Sequence, residues 1–258
     1  MASDRTRHHL PAGTEVAVEF LQQGSIWQLR KPLDLYSREQ GTGLATQAAP
    51  GRHLQLLGPQ STPSSQPHQR LRVRLLEDGY PGWIQPAVLL GGAVASQRPR
   101  PRLLNRHQIE DRLSAVLNTA LSWMKRPNVY LWGGTLGPNF DCSGLVQTAF
   151  ASTGIWLPRD AYLQEHFCQP VGVHPAETQL LALGDLLFFG TRQRCTHVGL
   201  HLGGGRYLHS SGREHGRDGL GIDDLNPHNP DPVACHYRRE LRGAGRVMRC
   251  HDGSPWPA

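Results

Sequence analysis

YLWGGTLGPNFDCSGLVQTAF, residues 130–150, changes character in its middle. Gly133, Gly134, Gly137 and Pro138 describe a turn-rich loop. Beyond it Leu145, Val146, Ala149 and Phe150 recur at helical spacing. Asp141 is placed to cap that helix, and Cys142 falls in its first turn. Unpaired amides and the positive dipole end at a helix start favour a thiolate over a thiol, which makes Cys142 a candidate nucleophile. A lone cysteine is more often a small buried hydrophobe, so the assignment needs a partner base.

CTHVGLHLGGGRYLHSSG, residues 195–212, supplies one. Val198, Leu200 and Leu202 alternate with His197, Gly199 and His201, the pattern of a strand with one apolar face. His197 points away from that face, and Gly199 beside it leaves room for another group. A GGG turn leads into a second strand, where His209 can approach His197 across the hairpin. A thiol nucleophile needs a base, and the base needs a third group to fix its tautomer. Cys142, His197 and His209 can fill these roles.

Towards the N-terminus, residues 10–90 carry short β-forming runs separated by glycine and proline, as in a small all-β barrel. In RLRVRLLEDGYPGWIQ, Leu71, Val73 and Leu75 alternate with arginines, and a turn at Asp78-Gly79 follows. Residues 58–69 read as an extended polar loop, and 1–9 as a flexible terminus. Residues 91–104 turn glycine-rich and then proline-rich, the composition of a linker. From Asn105 the period becomes helical, with apolar residues from Ile109 to Met124 on one stripe, an Asn105/Gln108 capping box and a stop at Pro127. The residues after Arg249, CHDGSPWPA, carry no readable signal, and 251–258 read as a tail.

The 258 residues fit two domains. The net charge of +6 comes mostly from dispersed arginines, so no nucleic-acid surface is expected. No apolar run reaches the length of a membrane span, and MASDRTRHHLPAG lacks the apolar stretch of a secretory signal. Five cysteines, an odd number without a CxxC pair, suit reduced thiols. A cytoplasmic location is expected.

Residues 105–250 resemble an NlpC/P60 peptidase domain, on YLWGG, FDCSGLVQ, LPRDAYLQ, LGDLLFF, THVGLHL and RYLHSSG in that order. Residues 10–90 resemble a bacterial SH3-like barrel, on YSREQGTGLATQAAPG and DGYPGWI. The resemblance implies an α+β chain: a papain-like domain, its cysteine helix packed on an antiparallel sheet, preceded by the barrel. It implies Cys142 as nucleophile, His197 as general base, His209 as the group orienting it, and Tyr130 as an aid to the oxyanion.

The pairing of domains looks like that of the γ-D-glutamyl-L-diamino acid endopeptidases. These cut murein tripeptides or tetrapeptides with a free N-terminal L-alanine, between γ-D-glutamate and diaminopimelate or lysine, in wall recycling. A desolvated ammonium must be paired. Asp160 matches the family position for this purpose, and Glu77, Asp78 and Tyr80 of the barrel are candidates to complete the pocket. Asp141 and Ser143 flank the nucleophile as possible substrate contacts, and Arg159 is a candidate partner for a carboxylate. Where some relatives have serine, this chain has Ala161. No cofactor or metal is implied.

Three rival readings are a metal site, a papain-like acyltransferase and a non-catalytic wall-fragment module. His197 and His201, four strand residues apart, are separated by about 13 Å, too far to share one ion. The order cysteine before histidine disfavours the acyltransferase, and the retained Cys142, His197 and His209 disfavour the inert module.

Overall fold

A computed structural model describes residues 10–58 and 70–255 of the chain. The expected flexible terminus 1–9 and nearly all of the polar loop lie outside the described residues. The first unit is a seven-stranded antiparallel sheet of β1 (Ile26–Leu29), β2 (Leu33–Tyr36), β3 (Leu44–Ala48), β4 (His53–Leu56), β5 (Leu71–Leu75), β6 (Pro81–Ile84) and β7 (Ala93–Ala95). Alternation does what the sequence promised: Trp27, Leu35, Leu54, Val73, Leu75 and Ile84 are fully buried on one face.

Strand β7 corrects the domain boundary, because it lies inside the stretch read as linker and pairs with β1. Ala93, Val94 and Ala95 are all buried. Three consecutive buried residues show no alternation, which is why glycine-rich flanks masked the strand.

The second unit begins with α1 (Arg106–Glu110) and α2 (Leu113–Met124). The Asn105/Gln108 capping box forms as expected, but the single stripe is broken into two helices at Asp111–Arg112. Then come α3 (Cys142–Ala151), α4 (Ala161–Phe167), β8 (Gln169–Val171), β9 (Leu186–Gly190), β10 (Cys195–Gly203), β11 (Arg206–Ser211), β12 (Gly219–Asp224), α5 (Pro232–Arg239) and β13 (Leu241–Arg246). The antiparallel sheet runs β12-β11-β10-β9-β13-β8. Its two faces take alternate residues of each strand. Leu186, Phe188, Val198, Leu200 and Leu208 face the core shared with α3, whereas Leu187, Phe189 and Tyr207 join Tyr237 of α5.

Polar contacts, part-buried at Gln47 and buried at Gln147, lock the barrel onto the second unit. The Gln47 side-chain oxygen accepts from the amides of Thr135 and Leu136, and the Thr135 hydroxyl donates to the Gln47 carbonyl. Gln147 on α3 donates to Asp78 at 2.9 Å. The chain end adds to the seam: His251 is buried, its amide donates to the Trp156 carbonyl, and a side chain at Gly79 would collide with Ser254. Residues 251–255 are thus packed structure rather than a featureless tail.

Candidate active site

Asp141 has the extended backbone of an N-cap, and its Oδ1 accepts from the Gly144 amide at 2.7 Å. This starts α3 at Cys142 and fixes where the sulfur points. Strands β10 and β11 pair at Leu200↔Leu208 but not beyond, toward His197 and His209. The Cys142 sulfur lies by that opening, against the backbone on both sides of His197: the Thr196 carbonyl is 4.0 Å away, and the Val198 amide is also a neighbour.

The imidazoles meet as expected, with His197 Nε2 and His209 Nδ1 2.8 Å apart. Tyr237 stacks on the His197 ring at 4.2 Å. The space that Gly199 leaves is filled by Tyr207, whose ring would lie 2.6 Å from a Cβ placed there. Among the described residues His197 Nδ1 has no hydrogen-bond partner, and the Cys142 thiol is not bonded to it: the sulfur's contact is the Thr196 carbonyl.

Beyond His209 the structure adds groups the sequence reading missed. His209 Nε2 lies 2.6 Å from Asp223 Oδ2, and Arg217 donates to both oxygens of Asp223, at 2.8 and 2.9 Å. Asp223 sits on the buried face of β12, whose other members are Gly219 and Gly221. A carboxylate sharing a buried face with two glycines was the available signal.

Burial decides the resting charges. It pushes the Cys142 thiol up to about 12, helped by the Asp141 carboxylate. The helix-start preference for thiolate is therefore outweighed. Burial, then the neighbouring His209, His215 and His236, holds His197 well below its ordinary range. Both shifts favour the uncharged forms, a thiol and a neutral imidazole. Tyr130 is a neighbour of Cys142, and burial raises its phenol far above the usual range, so it stays a donor. The first-turn amide of Cys142 is free of the helix ladder and can face a developing oxyanion.

The expected substrate contacts divide into two groups. Asp141, Ser143, Glu77 and Asp78 are occupied from within. Arg159, itself fully buried, donates to Asp141 through Nη1 at 3.0 Å and Nη2 at 2.6 Å, to Ser143 at 2.9 Å and to Thr46 at 2.9 Å. The Gly133 amide takes another Asp141 lone pair. Glu77 binds Arg52 and His53, and Asp78 binds Arg52, Gln147 and the Tyr80 amide. These four carboxyl and hydroxyl groups hold the loop and the seam, so each of these residues expected to contact substrate is already engaged within the fold.

Asp160 and Tyr80 do come together, the Tyr80 hydroxyl donating to Asp160 at 3.2 Å. Asp160 occupies the N-cap position of α4 without capping it, so its carboxylate is not consumed by the helix. Burial raises its pKa, against the pull of Arg159. Tyr162 and Arg194, with the guanidinium 4.2 Å over the Tyr162 ring, complete this corner. A separate cavity of about 520 Å³ between the units, lined by Arg52, Thr148, Trp156 and linker residues, contains none of Cys142, His197 or Asp160.

Residues 127–239 match the NlpC/P60 family, a span that holds the sulfur, both imidazoles and Asp223. The chain carries an NlpC/P60 domain. Residues 35–89 match the bacterial dipeptidyl-peptidase Sh3 domain, which precedes it. The chain is 42% identical over 98 residues to a γ-D-glutamyl-L-lysine dipeptidyl-peptidase of Bacillus subtilis, covering 37% of this chain and 31% of that one. It is 39% identical over 141 residues to a bifunctional muramidase/DL-endopeptidase of the same organism, covering 53% and 37%. It is 32% identical over 152 residues to dipeptidyl-peptidase 6 of Lysinibacillus sphaericus, covering 58% and 49%. The chain thus spans between about a third and a half of these relatives. A crystal structure of an NlpC/P60 family protein from Bacillus cereus aligns over 88% of this chain and 64% of that one, at 24% identity and a TM-score of 0.43.

Proposed function

We propose that the chain is a cysteine peptidase acting on cell-wall peptides, and that it cuts the bond between γ-D-glutamate and the following diamino acid. The observation that carries this is the Cys142 sulfur set against the backbone on either side of His197, while His209 holds the other ring nitrogen. The names of the relatives support the peptide-bond chemistry and the wall substrate.

In this mechanism His197 Nδ1 takes the thiol proton as the sulfur attacks the γ-carbonyl carbon. The developing oxyanion meets the Cys142 amide and the Tyr130 hydroxyl. Collapse of the tetrahedral adduct breaks the C–N bond, and His197 returns the proton to the leaving amine. A water molecule, deprotonated by the same nitrogen, then hydrolyses the thioester.

Specificity is read at the barrel seam. Asp160, held by Tyr80 and uncommitted to its helix, is the carboxylate for the ammonium of an N-terminal L-alanine. The barrel supplies Tyr80 and so takes part in recognition, although Glu77 and Asp78 are spent on the seam itself.

The test is to incubate the protein with L-Ala-γ-D-Glu-L-Lys, its diaminopimelate counterpart and their N-acetylated forms. Cleavage of the free-amine peptides only is the expected result. Equal cleavage of both forms removes the ammonium filter, and cleavage of none removes the assignment.

A further inference from the structure

We infer that Asp223, clamped by Arg217, is a positioning residue that sets the tautomers of two imidazoles in series and so puts the basic lone pair of His197 on Nδ1. The inference rests on the proposed cysteine-peptidase reading, which uses His197 as base and His209 as its support, and extends it by two residues.

The argument follows the hydrogen bonds. Two bonds from Arg217 keep Asp223 a carboxylate that can only accept. His209 Nε2, 2.6 Å away, must therefore carry a proton. A neutral His209 then has its lone pair on Nδ1, which accepts from His197 Nε2 at 2.8 Å. With its proton on Nε2, a neutral His197 has its lone pair on Nδ1, the nitrogen left for the thiol. The imidazole junctions are buried, His209 wholly inaccessible and Asp223 and His197 nearly so, while the outer end is closed by a partly exposed Arg217. Water is kept from offering alternative partners that would blur the choice.

The backbone is shaped to allow this clamp. A Cβ at Gly221 would lie 2.3 Å from an Arg217 guanidinium nitrogen, so the missing side chain is the space through which Arg217 reaches Asp223. Gly221 is also paired in register with His209. Burial raises the Asp223 pKa, but the bonds from His209 and Arg217 outweigh it and hold the carboxyl below its ordinary range.

The decisive variant is Asp223→Asn. Arg217 will hold the amide oxygen, turning the NH2 toward His209 Nε2. That reverses both bonds in the series and leaves His197 with a proton on Nδ1, facing the thiol. The expected result is a fall in kcat of roughly 10²–10⁴-fold with KM little changed, the scale seen when an amide in place of a supporting carboxylate imposes the wrong tautomer. Asp223→Ala frees His209 to take either tautomer and is expected to lose less than Asp223→Asn. A role in packing alone gives the opposite order, because alanine leaves Arg217 without its partner.

The readout independent of turnover is the ¹⁵N chemical shift of the His197 ring nitrogens. Wild type is expected to show the proton on Nε2, and Asp223→Asn to move it to Nδ1. A wild-type proton on Nδ1, or equal kcat in wild type and Asp223→Asn, overturns the inference even if no variant other than wild type folds well enough for NMR. Cleavage that survives in Cys142→Ala overturns the peptidase reading instead, and leaves the tautomer measurement standing on its own.

Discussion

The sheet side of the cleft and its barrel side handle charge differently. On the sheet side, His197, His209 and Asp223 form a buried series, closed by the partly exposed Arg217, in which each group is paired with the next. On the barrel side, Asp160 has Tyr80 and Tyr162 as hydrogen-bond neighbours, is raised in pKa by burial, and caps no helix although it stands where a cap would. The first arrangement fixes protons in place; the second leaves a carboxylate whose need for a counter-charge is only partly met. The contrast is sharpest between Asp141 and Asp160, both neighbours of Arg159. Asp141 receives two of its hydrogen bonds and caps a helix, whereas Asp160 receives none from it and caps no helix.

Variants that disturb one side and spare the other break or sharpen this contrast. The largest effect is expected from Arg159→Ala, which strips a fully buried cation from Asp141, Ser143 and Thr46 together. Leaving a buried charge unpaired costs about 3–5 kcal/mol, so thermal unfolding should shift down by many degrees and take both sides of the cleft with it. A small shift in Tm shows that Asp141 is supported by something else.

On the barrel side alone, Tyr80→Phe removes the hydroxyl that steadies Asp160. Hydrogen bonds to charged groups contribute roughly 1.5–3 kcal/mol, so KM for free-amine peptides should rise about tenfold or more, with kcat held. A fall in kcat at unchanged KM moves Tyr80 from recognition to chemistry.

The pH dependence separates the sides again. The raised pKa of Asp160 means that its proton returns early as pH falls, and a protonated carboxyl cannot pair an ammonium. KM for free-amine peptides is expected to rise in mild acid, above the range where an ordinary aspartate titrates. His197 is depressed, chiefly by burial and then by His209, His215 and His236. It stays an unprotonated base through the range in which an ordinary imidazole takes up its proton, so kcat should hold there. A kcat that falls within that range reverses the assignment. In the free protein the thiol, raised to about 12, should react with iodoacetamide increasingly fast into the alkaline range. A plateau already reached at neutral pH indicates a thiolate–imidazolium pair instead.

The smallest effect is expected at Trp132, which is 72% exposed in the YLWGG loop. Trp132→Ala should change stability by no more than about 0.5 kcal/mol. A larger loss in Tm means that the loop packs more tightly than its exposure shows.

The parts of the site read from sequence are those whose geometry is local. Cys142 was legible because Asp141 caps its own helix, and His197 and His209 because a glycine turn folds two strands onto each other. Asp223 was hidden because its meeting with His209 depends on the β11/β12 register, which no short motif encodes. That Arg159 would pair with a carboxylate was legible, but its choice of Asp141 was not, since the two stand eighteen positions apart with α3 between them. Strand β7 escaped because its three residues are all buried, and the role of 251–255 because it arises only when the chain end returns to the barrel.

The most direct measurement is acid-quenched mass spectrometry of the protein mixed with L-Ala-γ-D-Glu-L-Lys. The expected product is an L-Ala-γ-D-Glu acyl group on the peptide containing Cys142, formed before or with release of lysine, and absent from Cys142→Ala. Lysine released by Cys142→Ala at the wild-type rate, or an acyl group carried on any other residue, contradicts a thiol at the head of α3 acting as the nucleophile.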